Sequence, residues 1–210
     1  MWDPERGAEV ARLAAHSKQV DDVAIDPSGG RVATASRDWK ACVWDAATAT
    51  KEHVLRDHPW LVGAARFDPL DGRLLATASF DQTLRTWAVE GMSLLSVMVG
   101  HSALVYALAY SPDGRYIVSS SEDSTVKIWS ADTGALVKTL QGHSDAVMAV
   151  AFSPDGRLIV SGSDDGDVRI WRAMTAAPPR PPAPLPLAFA EYSSNMQPQI
   201  LFRGATTEVR

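Results

Sequence analysis

Four residue types recur in step along this chain, and that period limits what it can fold into. Trp44, Trp87, Trp129 and Trp171 are 43, 42 and 42 residues apart. His16, His58, His101 and His143 keep spacings of 42, 43 and 42. Asp38, Asp81, Asp123 and Asp165 each stand six residues before their Trp, and Ser36, Ser79, Ser121 and Ser163 stand two before each Asp. A period of about 40–45 residues marks one supersecondary unit repeated around an axis or along a solenoid. The fold is therefore four copies of one unit.

The clearest copy, Gly142 to Trp171, reads GHSDAVMAVAFSPDGRLIVSGSDDGDVRIW. Val147 to Phe152, Leu158 to Ser161 and Val168 to Trp171 are short apolar runs separated by Ser-Pro-Asp-Gly and Asp-Asp-Gly. These separators are turn chemistry: Pro presets φ, Gly supplies positive φ, and Asp bonds its own backbone. Leu136 to Leu140 alternates apolar and polar residues, as a half-exposed fourth strand would. Each copy thus supplies four short antiparallel strands, the inner ones more apolar than the outermost.

With Gly142-His143, Ser163-x-Asp165 and Trp171, and with Gly100-His101, Ser121, Asp123 and Trp129, the chain resembles the WD40-repeat family over roughly residues 1–172. The resemblance implies an all-β chain of β-propeller blades, one four-stranded antiparallel sheet per repeat. It also implies a buried hydrogen-bonded tetrad in each blade. The expected sets are His16, Ser36, Asp38 and Trp44; His58, Ser79, Asp81 and Trp87; His101, Ser121, Asp123 and Trp129; and His143, Ser163, Asp165 and Trp171. Buried polar groups must be paired, and these types can donate and accept in a chain. The copies depart from the pattern at turn or surface positions. Ala15 and Asp57 replace the Gly before His, and Ala88, Ser130 and Arg172 replace the Asp after Trp, which survives at Asp45 and Asp3. Phe67 to Ser79 holds one extra residue, absorbed in DPLDG.

The repeats are expected at about 14–56, 57–99, 100–141 and 142–172. Trp2 precedes His16 by 14 residues, the spacing found at every internal copy, so 1–13 reads as the tail end of a preceding blade with Ala8 to Leu13 its outer strand. After Trp171 the corresponding stretch is AAPPRPP, which cannot join a ladder because proline lacks the donor. Residues 173–210 read as a Pro-rich, disordered tail whose PxxP matches, Pro178-x-x-Pro181 and Pro181-x-x-Pro184, fit a linker better than a docking motif. Two closures fit this arrangement. Ala8 to Leu13 could lie beside the strand ending in Trp171 and complete a ring, or the blades could form an incomplete, open propeller. The open form is favoured, since four blades is the lower limit for propellers and the family usually has roughly seven. Open blade edges would allow self-association, including a ring of eight from two chains. The open form reads as a piece of a larger propeller, and the alternative function is that of a truncated fragment that works only with its missing blades or as an oligomer.

Composition narrows function. Net charge is −5 over 210 residues, which disfavours bulk binding to nucleic acid or an anionic membrane. Cys42 is the only cysteine, so neither a disulfide framework nor a Cys-based zinc site is available. The charged start MWDPERGAEVARL is not a signal peptide, and no run is long enough to span a bilayer, so cytoplasm or nucleus is expected. Ser, His and Asp in one blade resemble a hydrolase set, but the set occurs four times and no GxSxG elbow accompanies it. The four periodic histidines fall on four different blades, and no phosphate-binding Gly loop is present, so no metal, cofactor or catalytic residue is expected.

Surface remains. In the family, partners usually meet the rim that carries the Ser-x-Asp turns and the loops after the His. Carried over by position, the candidate partner-binding rim comprises Arg37, Phe80, Glu122 and Asp164 within the Ser-x-Asp turns, and Tyr106 and Met148 after the leading Val of the innermost strands. Asp21 and Gly63 hold the same inner-strand position. Trp39 and Trp60 lie outside the repeat pattern in a turn and a loop, where aromatics anchor interfaces or pack between blades. The position three residues after each Trp, which is Arg in some ubiquitin-ligase receptors of the family, is Glu5, Ala47, Glu90, Asp132 or Met174 here. The expectation is a non-catalytic scaffold that binds a protein or peptide.

Overall fold

Turn chemistry sets the strand ends. In the third copy the Ser111 hydroxyl donates to Asp113 Oδ1 at 2.6 Å and accepts the Tyr116 N–H at 2.9 Å, while Asp113 Oδ1 accepts the Arg115 N–H at 3.2 Å. Gly114 closes the turn at φ 69°, and its N–H donates to the Ser111 carbonyl. Glycine suits that turn position, because an L side chain at that φ is strained.

The computed structural model describes residues 2–3, 7–9, 11–14 and 16–173. Two two-residue strands come first, β1 (Trp2–Asp3) and β2 (Ala8–Glu9). The first blade is β3 (Val20–Ile25), β4 (Arg31–Ser36), β5 (Ala41–Asp45) and β6 (Lys51–Leu55). The second is β7 (Val62–Phe67), β8 (Leu74–Ser79), β9 (Thr83–Ala88) and β10 (Ser93–Val99). The third is β11 (Val105–Tyr110), β12 (Tyr116–Ser121), β13 (Thr125–Ser130) and β14 (Leu136–Gln141). The fourth is β15 (Val147–Phe152), β16 (Leu158–Ser163) and β17 (Val168–Arg172). Every blade is an antiparallel meander in chain order, four-stranded in the first three and three-stranded in the fourth among the described residues. The expected all-β blades are thus present. The Pro-rich stretch expected to be disordered lies outside the described residues beyond Ala173.

Alternation along the strands covers both faces of a blade, so successive blades bury apolar surface between them. Ala33, Ala35, Ala41 and Val43 of the first blade pack against Val62, Ala65, Phe67 and Trp87 of the second. Ala76, Ala78 and Leu84 meet Val105, Leu108 and Tyr110 at the next junction. Val118, Val126 and Ile128 meet Val147, Val150 and Phe152 at the third. These three junctions are the core. The blade 1–2 junction carries one charged clasp: the Asp22 carboxylate accepts the Ala65 N–H at 3.0 Å and the Arg66 guanidinium.

Each innermost strand carries a β-bulge at its second residue. Val20 pairs with Ser36 and Asp22 with Ala35, which leaves Asp21 unpaired, and the same skip occurs at Gly63, Tyr106 and Met148. A bulge re-aims one side chain and increases local twist. Here it places those four positions beside the ends of β4, β8, β12 and β16, at one end of every blade.

The described strands form the open arrangement. β2 pairs with β1, Trp2 opposite Glu9 and Asp3 opposite Ala8, and among the described residues β17 pairs only with β16. The ring-closing alternative, with Ala8 to Leu13 beside β17, is not what the pairing shows.

Candidate functional site

The rim rests on four braces. In each blade the His Nδ1 faces the turn Asp, at 3.1 Å for His16–Asp38 and 2.8 Å for His58–Asp81, His101–Asp123 and His143–Asp165. A carboxylate only accepts, so Nδ1 is assigned the proton and Nε2 is left as an acceptor. Nε2 meets a hydroxyl at 2.7 Å (Thr34), 2.8 Å (Thr77), 2.8 Å (Ser119) and 2.9 Å (Ser161). That same oxygen accepts the indole N–H of Trp44, Trp87, Trp129 or Trp171 at 2.8–3.0 Å. The order in every blade is carboxylate, imidazole, hydroxyl, indole.

The expected hydroxyl requires correction. The hydroxyl bonded to the His and the Trp is Thr34, Thr77, Ser119 or Ser161, not Ser36, Ser79, Ser121 or Ser163. Each of the latter four donates to a carbonyl of the preceding loop, Gln19 at 2.8 Å, Leu61 at 2.7 Å, Ala103 at 3.2 Å and Asp145 at 3.1 Å, and each accepts the N–H of the Asp two residues on, at 3.1 Å. The physical reason is strand geometry. Residues two apart share a face, and the one deeper in the strand, two residues from the position opposite the Trp, is the one within reach of the indole N–H. The sequence carried the signal, for a hydroxyl stands four residues before every turn Asp, in RVATAS, LLATAS, YIVSSS and LIVSGS.

These networks hold the carboxylates ionised. Burial opposes ionisation of Asp81, but hydrogen bonds from His58 and Thr83 outweigh it and bring its pKa down to about 2. Burial likewise opposes ionisation of Asp123 and Asp165. Bonds from His101 and Thr125 in one case, and from the Ser144 and Asp167 N–H groups in the other, put both well below the usual carboxylate range. Asp38 is lowered too, against burial, by the Ser17 N–H and His16. In the fourth blade Ser163 lies on the Asp145 carbonyl rather than on His143, and Ser161, which does meet His143, is 1% exposed. Among the described residues no group of three or more His, Cys, Asp or Glu could hold a metal ion.

Above the braces lie the rim candidates. Arg37 is exposed and pairs with the bulge residue Asp21 at 3.0 Å. Phe80 and Tyr106 meet edge-to-face across the blade 2–3 junction, ring centroids 5.4 Å apart at 87°. Gly63 lies beneath them, where a Cβ would come within 3.2 Å of the Phe80 ring. Burial, then Glu122 and Asp164, raise the Tyr106 pKa. Glu122 and Asp164 are exposed, and Met148 is 43% exposed beside them in the fourth blade. Trp39 and Trp60 are each 50% exposed, Trp39 in the turn after β4 and Trp60 in the loop before β7. Trp39 also has φ 72°, in the left-handed region. Gln82, Ser124 and Gly166 occupy the same turn position at φ 73°, 62° and 86°, so only the fourth blade uses the residue that suits it.

A family model described as "WD domain, G-beta repeat" matches residues 7–45, 50–88, 92–130 and 134–172. Each matched span ends one residue past a periodic Trp, so it joins the outer strand of one blade to the inner strands of the next. Relatives include transducin beta-like protein 3 of Bos taurus, 33% identical over 113 residues, which are 52% of this chain and 14% of that protein. WD40 repeat-containing protein HOS15 of Arabidopsis thaliana is 34% identical over 105 residues, 46% of this chain and 17% of that protein. Nuclear distribution protein PAC1 of Arthroderma otae is 34% identical over 122 residues, 53% of this chain and 26% of that protein. The matches therefore span about a quarter or less of these relatives' lengths.

Proposed function

Because the chain belongs to the WD40-repeat family, we propose that it is a non-catalytic scaffold whose braced loop rim docks a protein segment bearing a basic side chain next to an apolar one. Family membership supports protein interaction in general. The rim supports the finer reading, and one observation carries it. Trp39 is half-exposed and held at φ 72°, where glycine would be easier. Strain together with an exposed indole points to a surface kept for contact. Trp60 and the Phe80–Tyr106 pair add aromatic area, the material of interface anchors. Arg37 is already neutralised by Asp21, so Glu122 and Asp164 set the sign of the mouth and favour a cation beside Tyr106. A net charge of −5 supports a protein partner over nucleic acid.

The test is selection of peptides on the wild-type protein from a displayed random library, followed by calorimetric titration of the winners. Trp39→Gly and Phe80→Ala are each expected to weaken binding about tenfold or more, as buried anchors do. Reversing Glu122 and Asp164 to Lys should abolish binding of the basic winners and leave the fold intact. Leu95→Ala, exposed on outer strand β10, should change nothing. Winners insensitive to all three rim substitutions would overturn the reading.

A further inference from the structure

The two terminal blades expose the two halves of a junction that the chain makes three times inside itself. On the fourth blade Val168 is 70% exposed and Ile170 is 67% exposed. Their register equivalents in the third blade, Val126 and Ile128, are 0% and 2% exposed because β15 lies over them. On the first blade Val20, Val23 and Ile25 are 43%, 62% and 67% exposed. Their equivalents in the third blade, Val105, Leu108 and Tyr110, are buried against the second blade.

We propose that a second copy of this chain covers these faces, β3 of each copy lying on β15, β16 and β17 of the other, so that two chains close on each other through two identical junctions. Sequence complementarity argues for a second copy over a foreign strand. The covered face of the third blade offers Ala107, Ala109, Val118, Ser120, Val126 and Ile128, and the fourth blade offers Ala149, Ala151, Val160, Gly162, Val168 and Ile170 in the same register. The strand that lies on the third blade presents Val147, Val150 and Phe152 at spacings of three and two. β3 presents Val20, Val23 and Ile25 at those same spacings, with the same bulge after its first residue.

Charge agrees. At the blade 1–2 junction Arg66 projects toward Asp22. At the new junction those two positions are Ala24 and Ala149, and Asp22 stays with its own Arg66. Neither of these two positions carries a charge into the new junction, so closure avoids the desolvation cost there. Closure by two equal head-to-tail contacts gives a finite dimer with two-fold symmetry, whereas contacts that fail to close give open chains.

Sedimentation velocity and equilibrium on the full chain test this. The expected species has twice the 22.6 kDa chain mass. Ile170→Asp and Val23→Asp, each at an already exposed site, should each reduce it to one chain mass, with circular dichroism and melting temperature those of the dissociated wild type. Ile170→Ser is the milder variant should the acid disturb the fourth blade. Mixing Ile170→Asp with Val23→Asp should restore a 1:1 pair, weaker than wild type, because each chain keeps the one good face the other needs. A wild-type monomer at every accessible concentration, a dimer indifferent to both substitutions, or mass that grows without limit would each overturn the proposal.

Discussion

Replacing Thr77 by Val isolates the relay hydroxyl from everything else in a brace. The substitution keeps shape and burial but puts a methyl where His58 Nε2, at 2.8 Å, and the Trp87 indole N–H, at 3.0 Å, meet the Thr77 oxygen. Thr77 is 0% exposed and His58 4%, so water does not replace the lost partner. His58 cannot escape by moving its proton, since Nδ1 would then turn a lone pair toward Asp81 at 2.8 Å. Two buried groups lose their partner, each at about 1–3 kcal/mol, so the expected cost is about 2–6 kcal/mol. That is a large share of the about 5–15 kcal/mol that holds a typical domain. Thr77→Ser keeps the hydroxyl and removes one methyl, for about 1 kcal/mol. Ser79→Ala should fall between them. The Leu61 carbonyl keeps a bond from the Phe80 N–H at 2.9 Å, so only the Asp81 N–H loses its partner. Urea unfolding followed by tryptophan fluorescence gives the three midpoints, compared at equal m. If Thr77→Val and Thr77→Ser unfold together, or if Ser79→Ala costs the most, the hydroxyl is not the joint between imidazole and indole.

Acid should loosen the braces. The Asp81 pKa falls from 3.8 in the unfolded chain to about 2 in the fold, so its contribution is complete above about pH 4 and lost as pH falls toward 2. Asp38, Asp123 and Asp165 shift the same way. Melting temperature should therefore drop steeply across that window, and Asp81→Asn should show a shallower slope; an equal slope would remove Asp81 from the cause. Ser124→Gly relieves a left-handed residue at φ 62° and is expected to stabilise by about 0.5–1 kcal/mol in thermal unfolding, since the relief exceeds glycine's chain-entropy penalty. Gly114→Ala should destabilise by about 1–2 kcal/mol or more by the same measurement, because φ is 69° and the new Cβ would sit 2.8 Å from Asp68 Oδ1.

Much of this molecule was legible because its signals are repeated. The strand limits expected for Val147 to Phe152 match β15, and the outer strand from Leu136 extends one residue beyond the expected Leu140. Spacings of 42 or 43 residues between copies marked each His, Asp and Trp of the braces. The misplaced partner was the hydroxyl, and the reason is specific. Ser36 and Thr34 are both small hydroxyls on one face of one strand, so period alone does not separate them. Which one reaches the Trp depends on the register between β4 and β5, where Val32 stands opposite Trp44 and Thr34 opposite Cys42. Register is a property of two strands and is not written in either alone. The strain at Trp39 and the edge-to-face contact of Phe80 with Tyr106 were hidden for the same reason, as both depend on how a turn or a neighbouring blade is placed.

The three apolar junctions make this chain a row of coupled units rather than a single sphere of core. Middle blades are held on two sides and terminal blades on one, as the exposure of Val23 and Ile170 records. In such a row, opening propagates inward from the ends, and local stability follows the number of neighbours a unit has. In the dissociated single chain, amide protons of β8 and β12 should therefore exchange last, and those of β17 and β3 first. Anything that caps an end would act at a distance, slowing exchange in a blade it never touches.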